Sequence, residues 1–232
     1  MSIKLGVPSK GRLMEKTFDW FGARGVTLSR TGSEREYAAA VEGIEGVELV
    51  LLSAGEIPRE LAAGRIHLGV TGSDLVREKL GLWDEKVQEL ALMGFGHADL
   101  IIAVPRAWVD VTTLDDLDAV AAAFRARHGF RLRIATKYHR LIRDHLRDHG
   151  VADYQLVDSQ GATEGTIKNE TAEAIADITS TGETLRANHL KILAGDPVHK
   201  SQATLFKSRK ADWGGDNRAV LTTLQSRLGL DG

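Results

Sequence analysis

A chain of 232 residues with a net charge of −2, an ordinary apolar fraction and no cysteine is long enough for one sizeable or two small globular domains. Near-neutrality removes any overall field that would draw it to nucleic acid or to a membrane surface, so anionic ligands must be met by local groups. Lack of cysteine excludes a disulfide framework, a thiolate nucleophile and a cysteine-based zinc site, and is compatible with the cytoplasm, where the chain is expected to reside. Neither a signal peptide nor an apolar run of about eighteen residues is present, so no membrane association is expected.

Short apolar runs alternate with amphipathic segments, the pattern of β-α units around a mostly parallel sheet. Ile3 to Val7 reads as a first strand. Between Arg12 and Arg24, Leu13, Thr17, Trp20 and Phe21 fall at helical spacing until Gly25. Tyr37 to Val41 and Val47 to Leu52 read as strands paired around a Gly-Ile-Glu-Gly turn. A short helix follows Pro58, and His67 to Val70 is a strand that runs into Thr71-Gly72-Ser73-Asp74 and another helix. Val87 to Leu92 and Leu100 to Val104 are strands separated by Gly94-Phe95-Gly96, a first domain crossing.

From Pro105 the pattern restarts, with a helix at Thr113 to Arg127, a strand at Leu132 to Thr136, a helix at Tyr138 to His149 and strands at Tyr154 to Val157 and Ala174 to Ile178. Lys191 to Leu193 and Thr204 to Phe206 are expected to return to the first sheet, followed by a linker-like stretch from Lys210 to Asp216 and a terminal helix at Asn217 to Leu228. Two crossings give a first lobe of residues 1–95 plus 190–232 and a second of 96–189. A ligand is expected between the lobes, near the carboxyl ends of strands.

The stretch from Glu173 to Asn188 carries the clearest chemistry. Glu173 and Asp177 lead into Thr179, Ser180, Thr181, Gly182, Glu183 and Thr184, after which a helix begins. Small residues let a backbone approach an anion, and hydroxyls and amides can donate to it. The acids then suit a ribose diol or a magnesium ion, since carboxylates accept from hydroxyls and bind hard cations. A strand followed by a Ser/Thr-capped helix accounts for the same residues without a ligand. Other strand ends add Lys10 and Arg12 after the first strand, Thr71, Gly72 and Asp74 in a strand-to-helix turn, Lys137, and Glu164. Arg35 stands between two acids, and surface placement is its default.

Taken together, Pro8-Ser9-Lys10-Gly11-Arg12-Leu13, Leu68 to Asp74, Ile134-Ala135-Thr136-Lys137-Tyr138 and Asp177 to Asn188 resemble the ATP phosphoribosyltransferase family, in the right order along nearly the whole chain. The resemblance implies a two-lobed α/β fold like type II periplasmic binding proteins, with the active site in the interdomain cleft. It also implies transfer of the 5-phosphoribosyl group of phosphoribosyl pyrophosphate to N1 of the adenine of ATP, the opening of histidine biosynthesis. Such a transition state asks for positioning and charge neutralisation more than for an activated nucleophile. By resemblance, Thr179 to Thr184 hold phosphoribosyl pyrophosphate with Glu164 near the sugar, and Asp177 and Glu173 take the ribose hydroxyls. Lys10 and Arg12 assist the leaving group, and Arg35, Thr71, Gly72, Asp74 and Lys137 serve ATP. Magnesium is expected mainly through substrate phosphates.

Some positions depart from the family pattern. Ser53-Ala54-Gly55-Glu56 stands where many members have an arginine, which removes one expected cation, and Gly161-Ala162-Thr163-Glu164 loses a hydroxyl of the Gly-Ser-x-Glu element. The length matches the family's short form, which lacks a regulatory domain. A homodimer within a hetero-oligomer is therefore expected, completed by a regulatory subunit similar to histidyl-tRNA synthetase, with Trp83, Trp108 and Trp213 available either to the core or to an interface. Alternatives are a non-catalytic solute-binding module of the same fold and a phosphoribosyltransferase for another base.

Overall fold

Strands and helices alternate along the described residues, 2–30, 39–159 and 161–230, of a computed structural model. In chain order the elements begin β1 (Ile3–Pro8), α1 (Gly11–Gly22), β2 (Thr27–Arg30), β3 (Ala39–Glu42), β4 (Val47–Leu52), α2 (Ile57–Ala62) and β5 (Leu68–Gly72). They continue with α3 (Ser73–Lys79), α4 (Trp83–Lys86), β6 (Val87–Leu92), β7 (Ala98–Pro105), α5 (Leu114–His128), β8 (Leu132–Thr136), α6 (His139–Asp148) and β9 (Tyr154–Asp158). Last come α7 (Gly165–Lys168), β10 (Ala174–Thr179), α8 (Glu183–Ala187), β11 (Leu190–Ile192), β12 (His199–Ser201), β13 (Ala203–Ser208) and α9 (Asn217–Leu228). The chain divides into two compact units, one of Met1–Gly96 with Gln202–Gly232 and one of His97–Ser201.

In the first unit the sheet order is β4-β1-β5-β13-β6, with β4, β1 and β5 parallel and β13 antiparallel to both neighbours. Ile3, Leu5, Val7, Leu68 and Val70 alternate into the core, where α1 adds Trp20 and Phe21 from its apolar stripe. Gly69 is needed for its size: a Cβ there would lie 2.7 Å from Ile57 of α2. The segment expected to be a linker is anchored. Trp213 Nε1 donates to Ser208 O at 2.8 Å, and Asn217 Nδ2 donates to Asp212 O at 2.9 Å.

Two expectations are corrected here. β3 does not pair with β4: it pairs antiparallel with β2, and β4 pairs parallel with β1. Leu49 and Leu51 of β4 are buried against β1, so the apolar gain decides the partner over the proximity that the intervening turn offers. Nor does Lys191 to Leu193 return to the first sheet. β11 pairs antiparallel with β7, and Leu190 and Leu193 are buried in the second unit, which moves the second crossing from 189/190 to 201/202.

The second unit holds the sheet β11-β7-β10-β8-β9, with β12 also paired to β7. β8, β9 and β10 run parallel, and β7 is antiparallel to β10. One face packs Leu100, Ile102, Ala174 and Ala176 with Leu117, Ile142 and Leu146 of α5 and α6, while the other packs Ile101, Ala103 and Ile175 with Leu185 and Leu190. Side chains at odd positions of β7 and β10 therefore share the second face. Trp83, Trp108 and Trp213 are each partly buried against a core cluster. No helix among the described residues is long and apolar enough to cross a membrane.

Candidate active site

The three parallel strands of the second unit end at one sheet edge, so the residues that follow them are brought together by topology. β8 leads to Lys137, β9 to the segment that reaches Glu164, and β10 carries Asp177 into the loop 179–182. The register puts Thr136 beside Ala176, so Lys137 and Asp177 each follow the last residue paired between β8 and β10. Lys137 Nζ donates to Gly161 O at 2.7 Å, tying the strand end to the segment before Glu164. That segment is held from beneath by a buried hydrogen bond from Ser159 Oγ to Thr163 Oγ1 at 2.9 Å.

The hydroxyl loop is organised by its own side chains. Thr179 Oγ1 accepts from Gly182 N at 2.9 Å and Thr181 Oγ1 from Glu183 N at 3.3 Å. Each of these hydroxyls keeps its proton and can still donate outward. Gly182 has φ +70, the left-handed entry to α8 that a side chain would strain, and Arg186 closes the turn by donating to Thr181 O at 3.0 Å. Ser180, Thr181, Glu183 and Thr184 are exposed. A pocket of about 440 Å³ adjoins the loop and is lined by Thr179 to Gly182, Asp99, Arg106, Arg186 and Lys191. Arg186 belongs to the Asp177–Asn188 stretch itself, whereas Asp99, Arg106 and Lys191 did not stand out in the sequence and are brought here by strand register and the fold of the chain after α8.

Glu173 does not join Asp177. Glu173 stands just before β10 and Asp177 is the fourth residue of that strand, so they lie four residues or about 13 Å apart at about 3.3 Å per residue. The Glu173 carboxylate accepts from Arg133 N at 2.8 Å and forms an ion pair with the Arg133 guanidinium at 2.5 Å. Hydrogen bonding to Glu173 holds the Arg133 pKa above its ordinary value. Spacing four apart gathers side chains on a helix, but on a strand it separates them. Asp177 is half-buried and its Oδ1 accepts from Ile178 N at 2.8 Å.

In the first unit, β1 and β5 are neighbours and end at the same edge of their sheet. Lys10 and Arg12 are exposed there at the start of α1, and neither makes an ion pair among the described residues. Thr71 is buried and donates from Oγ1 to Ala54 O at 2.8 Å, while Gly72 ends β5 and caps the start of α3, and Asp74 is buried in the first turn of that helix. Ser53, which stands in for a family arginine, donates through its hydroxyl at 2.7 Å and its amide at 3.0 Å to Glu56, and these bonds lower the Glu56 pKa. Arg35 lies outside the described residues.

A loop rich in hydroxyls thus follows a strand that carries a carboxylate. The family model for ATP phosphoribosyltransferase matches residues 53–229, and an ATP phosphoribosyltransferase of Cereibacter sphaeroides is 75% identical over 99% of this chain and 97% of its own length. The chain belongs to the ATP phosphoribosyltransferase family. Its length of 232 residues fits the family's short form. Like the family, it is a phosphoribosyltransferase that moves the 5-phosphoribosyl group of phosphoribosyl pyrophosphate to ATP in the first step of histidine biosynthesis. Its fold is also that of an ATP phosphoribosyl transferase (HisG:HisZ) complex from Thermotoga maritima, with a TM-score of 0.69 at 21% identity over 98% of this chain and 96% of that one. A histidine kinase sensor domain with similarity to periplasmic binding proteins matches with a TM-score of 0.54 at 12% identity, over 99% of this chain and 89% of that one. The two-lobed periplasmic-binding-protein type II-like architecture follows.

Proposed function

We propose that the second unit supplies the phosphoribosyl half of this reaction, with Ser180 to Thr184 around the 5-phosphate, Asp177 on the ribose hydroxyls and Glu164 beside the sugar. The observation that carries this reading is the shared edge: β8, β9 and β10 end together, and the loop after β10 has exposed hydroxyls on a backbone already fixed by Thr179 and Thr181. Binding then requires little reordering of the loop. As the bond from the anomeric carbon to pyrophosphate breaks, positive charge grows on the sugar ring. An ionised carboxylate fixed at the ring hydroxyls stabilises it more than the ground state. Adenine N1 brings its own lone pair and needs no protein nucleophile.

Lys10 and Arg12, cations without a carboxylate partner among the described residues, are assigned to the departing pyrophosphate, and Thr71, Gly72, Asp74 and Lys137 to ATP, Thr71 and Asp74 by shaping the turn from within rather than through their buried side chains. Phosphoribosyltransferases generally use a divalent metal, and magnesium is the ion proposed here. Among the described residues no group of three or more histidine, aspartate or glutamate side chains is close enough to cage a metal, so magnesium would be carried on the substrate's phosphates. It would supply charge neutralisation of the leaving group. The decisive experiment pairs Ser180→Ala with Thr184→Ala: the KM for phosphoribosyl pyrophosphate is expected to rise about tenfold or more with that for ATP little changed. Equal weakening of both substrates would refute the 5-phosphate assignment.

A regulatory partner similar to histidyl-tRNA synthetase belongs to the same proposal, as does placement in the cytoplasm. A fold shared with one component of a two-component complex supports a partner. By linkage, histidine bound on that partner inhibits only if it favours the less active arrangement. Histidine is thus expected to inhibit the isolated chain weakly and the reconstituted complex strongly. Full inhibition of the pure chain at micromolar histidine would remove the need for the partner.

A further inference from the structure

A ribose diol presents two hydroxyl donors, yet the expected pair of acids is broken, because Glu173 is held by Arg133 at the far end of β10. Asp177 remains, with one oxygen already taken by its neighbouring amide. The register of β7 against β10 identifies another acid at the right end. Asp99 stands directly opposite Thr179, and Asp177 opposite Ile101, so Asp99 and Asp177 are diagonal neighbours across the pair. Both belong to the face that carries Ile101, Ala103 and Ile175, and Asp99 lines the same pocket as Thr179, Ser180, Thr181 and Gly182. We propose that Asp99 is a second ribose-binding carboxylate, accepting from the ring hydroxyl that Asp177 leaves unmet. This rests on the reading of Asp177 as a diol residue.

The chemistry of the position supports a hydroxyl ligand. The Asp99 carboxylate has no hydrogen bond or ion pair among the described residues, although it is only half-exposed. A carboxylate beside a phosphate repels it, so it favours the substrate through the ring hydroxyls that the phosphoribosyl group offers as donors, or through a cation carried on the phosphates, and deoxy sugars separate the two. Its other cross-strand neighbour is Lys200 of β12, directly opposite, so the row Lys200–Asp99–Thr179 crosses three strands at the loop's edge. The lysine offsets the second negative charge near the phosphate while leaving its acceptor oxygens in place. No sequence motif announces Asp99. It lies about 80 residues from the loop and meets it only because β7 is antiparallel to β10.

The test compares Asp99→Asn with Asp177→Asn in the full chain, using steady-state kinetics for both substrates and competitive inhibition by ribose 5-phosphate, by 2-deoxyribose 5-phosphate and by its 3-deoxy counterpart. Asp99→Asn is expected to raise the KM for phosphoribosyl pyrophosphate about tenfold or more, the scale of a lost charge-assisted hydrogen bond, with the KM for ATP within about twofold. Its effect on inhibitor affinity should collapse for one of the deoxy sugars. Normal kinetics in Asp99→Asn beside a crippled Asp177→Asn overturns the role of Asp99 alone, whereas normal kinetics in both overturns the reading of Asp177 beneath it. An equal penalty with all three sugars overturns hydroxyl binding and points to the charge or a cation. If Asp99→Asn fails to fold, Asp99→Ser is measured in the same way.

Discussion

Two sheet edges in this molecule carry the same residue types in opposite circumstances. At the edge of the second unit the loop after β10 faces solvent with Ser180, Thr181 and Thr184, and Thr179 and Thr181 fix the backbone through their acceptor oxygens alone. At the edge of the first unit, Thr71, Ser73 and Asp74 sit in a similar strand-to-helix turn but are buried, and the Thr71 proton is engaged by Ala54 O. Hydroxyls and a carboxylate in such a turn are therefore not equivalent. Those with free donors and solvent access can meet a ligand, and those turned inward mainly hold neighbouring loops together.

The largest effect should come from breaking the outward-facing edge. Asp177→Ala is expected to lower kcat/KM about 10²-fold or more, as loss of a group that meets developing charge commonly does, while the thermal unfolding curve stays close to that of the parent. Activity within a few-fold of the parent would remove Asp177 from the chemistry. The inward-facing edge should behave in the reverse way. Thr71→Val preserves volume and leaves Ala54 O without its donor, so a stability loss of about 1–2 kcal/mol is expected with the KM for ATP within about threefold. A large rise in that KM at unchanged stability would show that Thr71 faces a ligand as well.

Glu173 gives an intermediate case, since the sequence pairs it with Asp177 and the fold pairs it with Arg133. Glu173→Gln is expected to cost about 1 kcal/mol of stability, the scale of a half-buried charge-assisted contact, and to leave turnover per folded molecule within a few-fold. A loss as deep as that of Asp177→Ala would return Glu173 to the site.

The alternation of apolar runs and the hydroxyl loop were legible in the chain because both are local: strand period, helix period and a glycine with a left-handed φ all lie within a few residues. Terminal helix α9 falls where its spacing predicts, at Asn217–Leu228. What escaped was long-range. β2 takes β3 as its partner, β11 stays with β7, and Asp99 reaches Thr179 across a pairing of distant segments. Glu173 departs from its expected place for a related reason. A four-residue interval has one meaning on a helix and another on a strand, and the strand was already predicted.

The smallest effect sharpens the comparison by using an acid whose donors are entirely internal. Asp116, in the first turn of α5, accepts from the amides of Thr112 and Thr113 at 2.9 and 2.8 Å and from the Thr112 hydroxyl at 2.9 Å, and its own amide donates to Thr113 Oγ1 at 3.2 Å. The amides, first that of Thr112 and then that of Thr113, lower its pKa from 3.8 to about 2. A folded-state pKa below the unfolded one stabilises the fold fully above the unfolded value, and the contribution is lost as pH falls through the folded value. Asp116→Ala should therefore melt a few degrees below the parent near neutrality. That gap should narrow between pH 3.8 and about 2, as the parent's carboxylate takes up its proton. Turnover should be unchanged throughout. A gap that stays constant across this window would mean that the helix start is held by Thr113 alone and that the Asp116 charge contributes nothing.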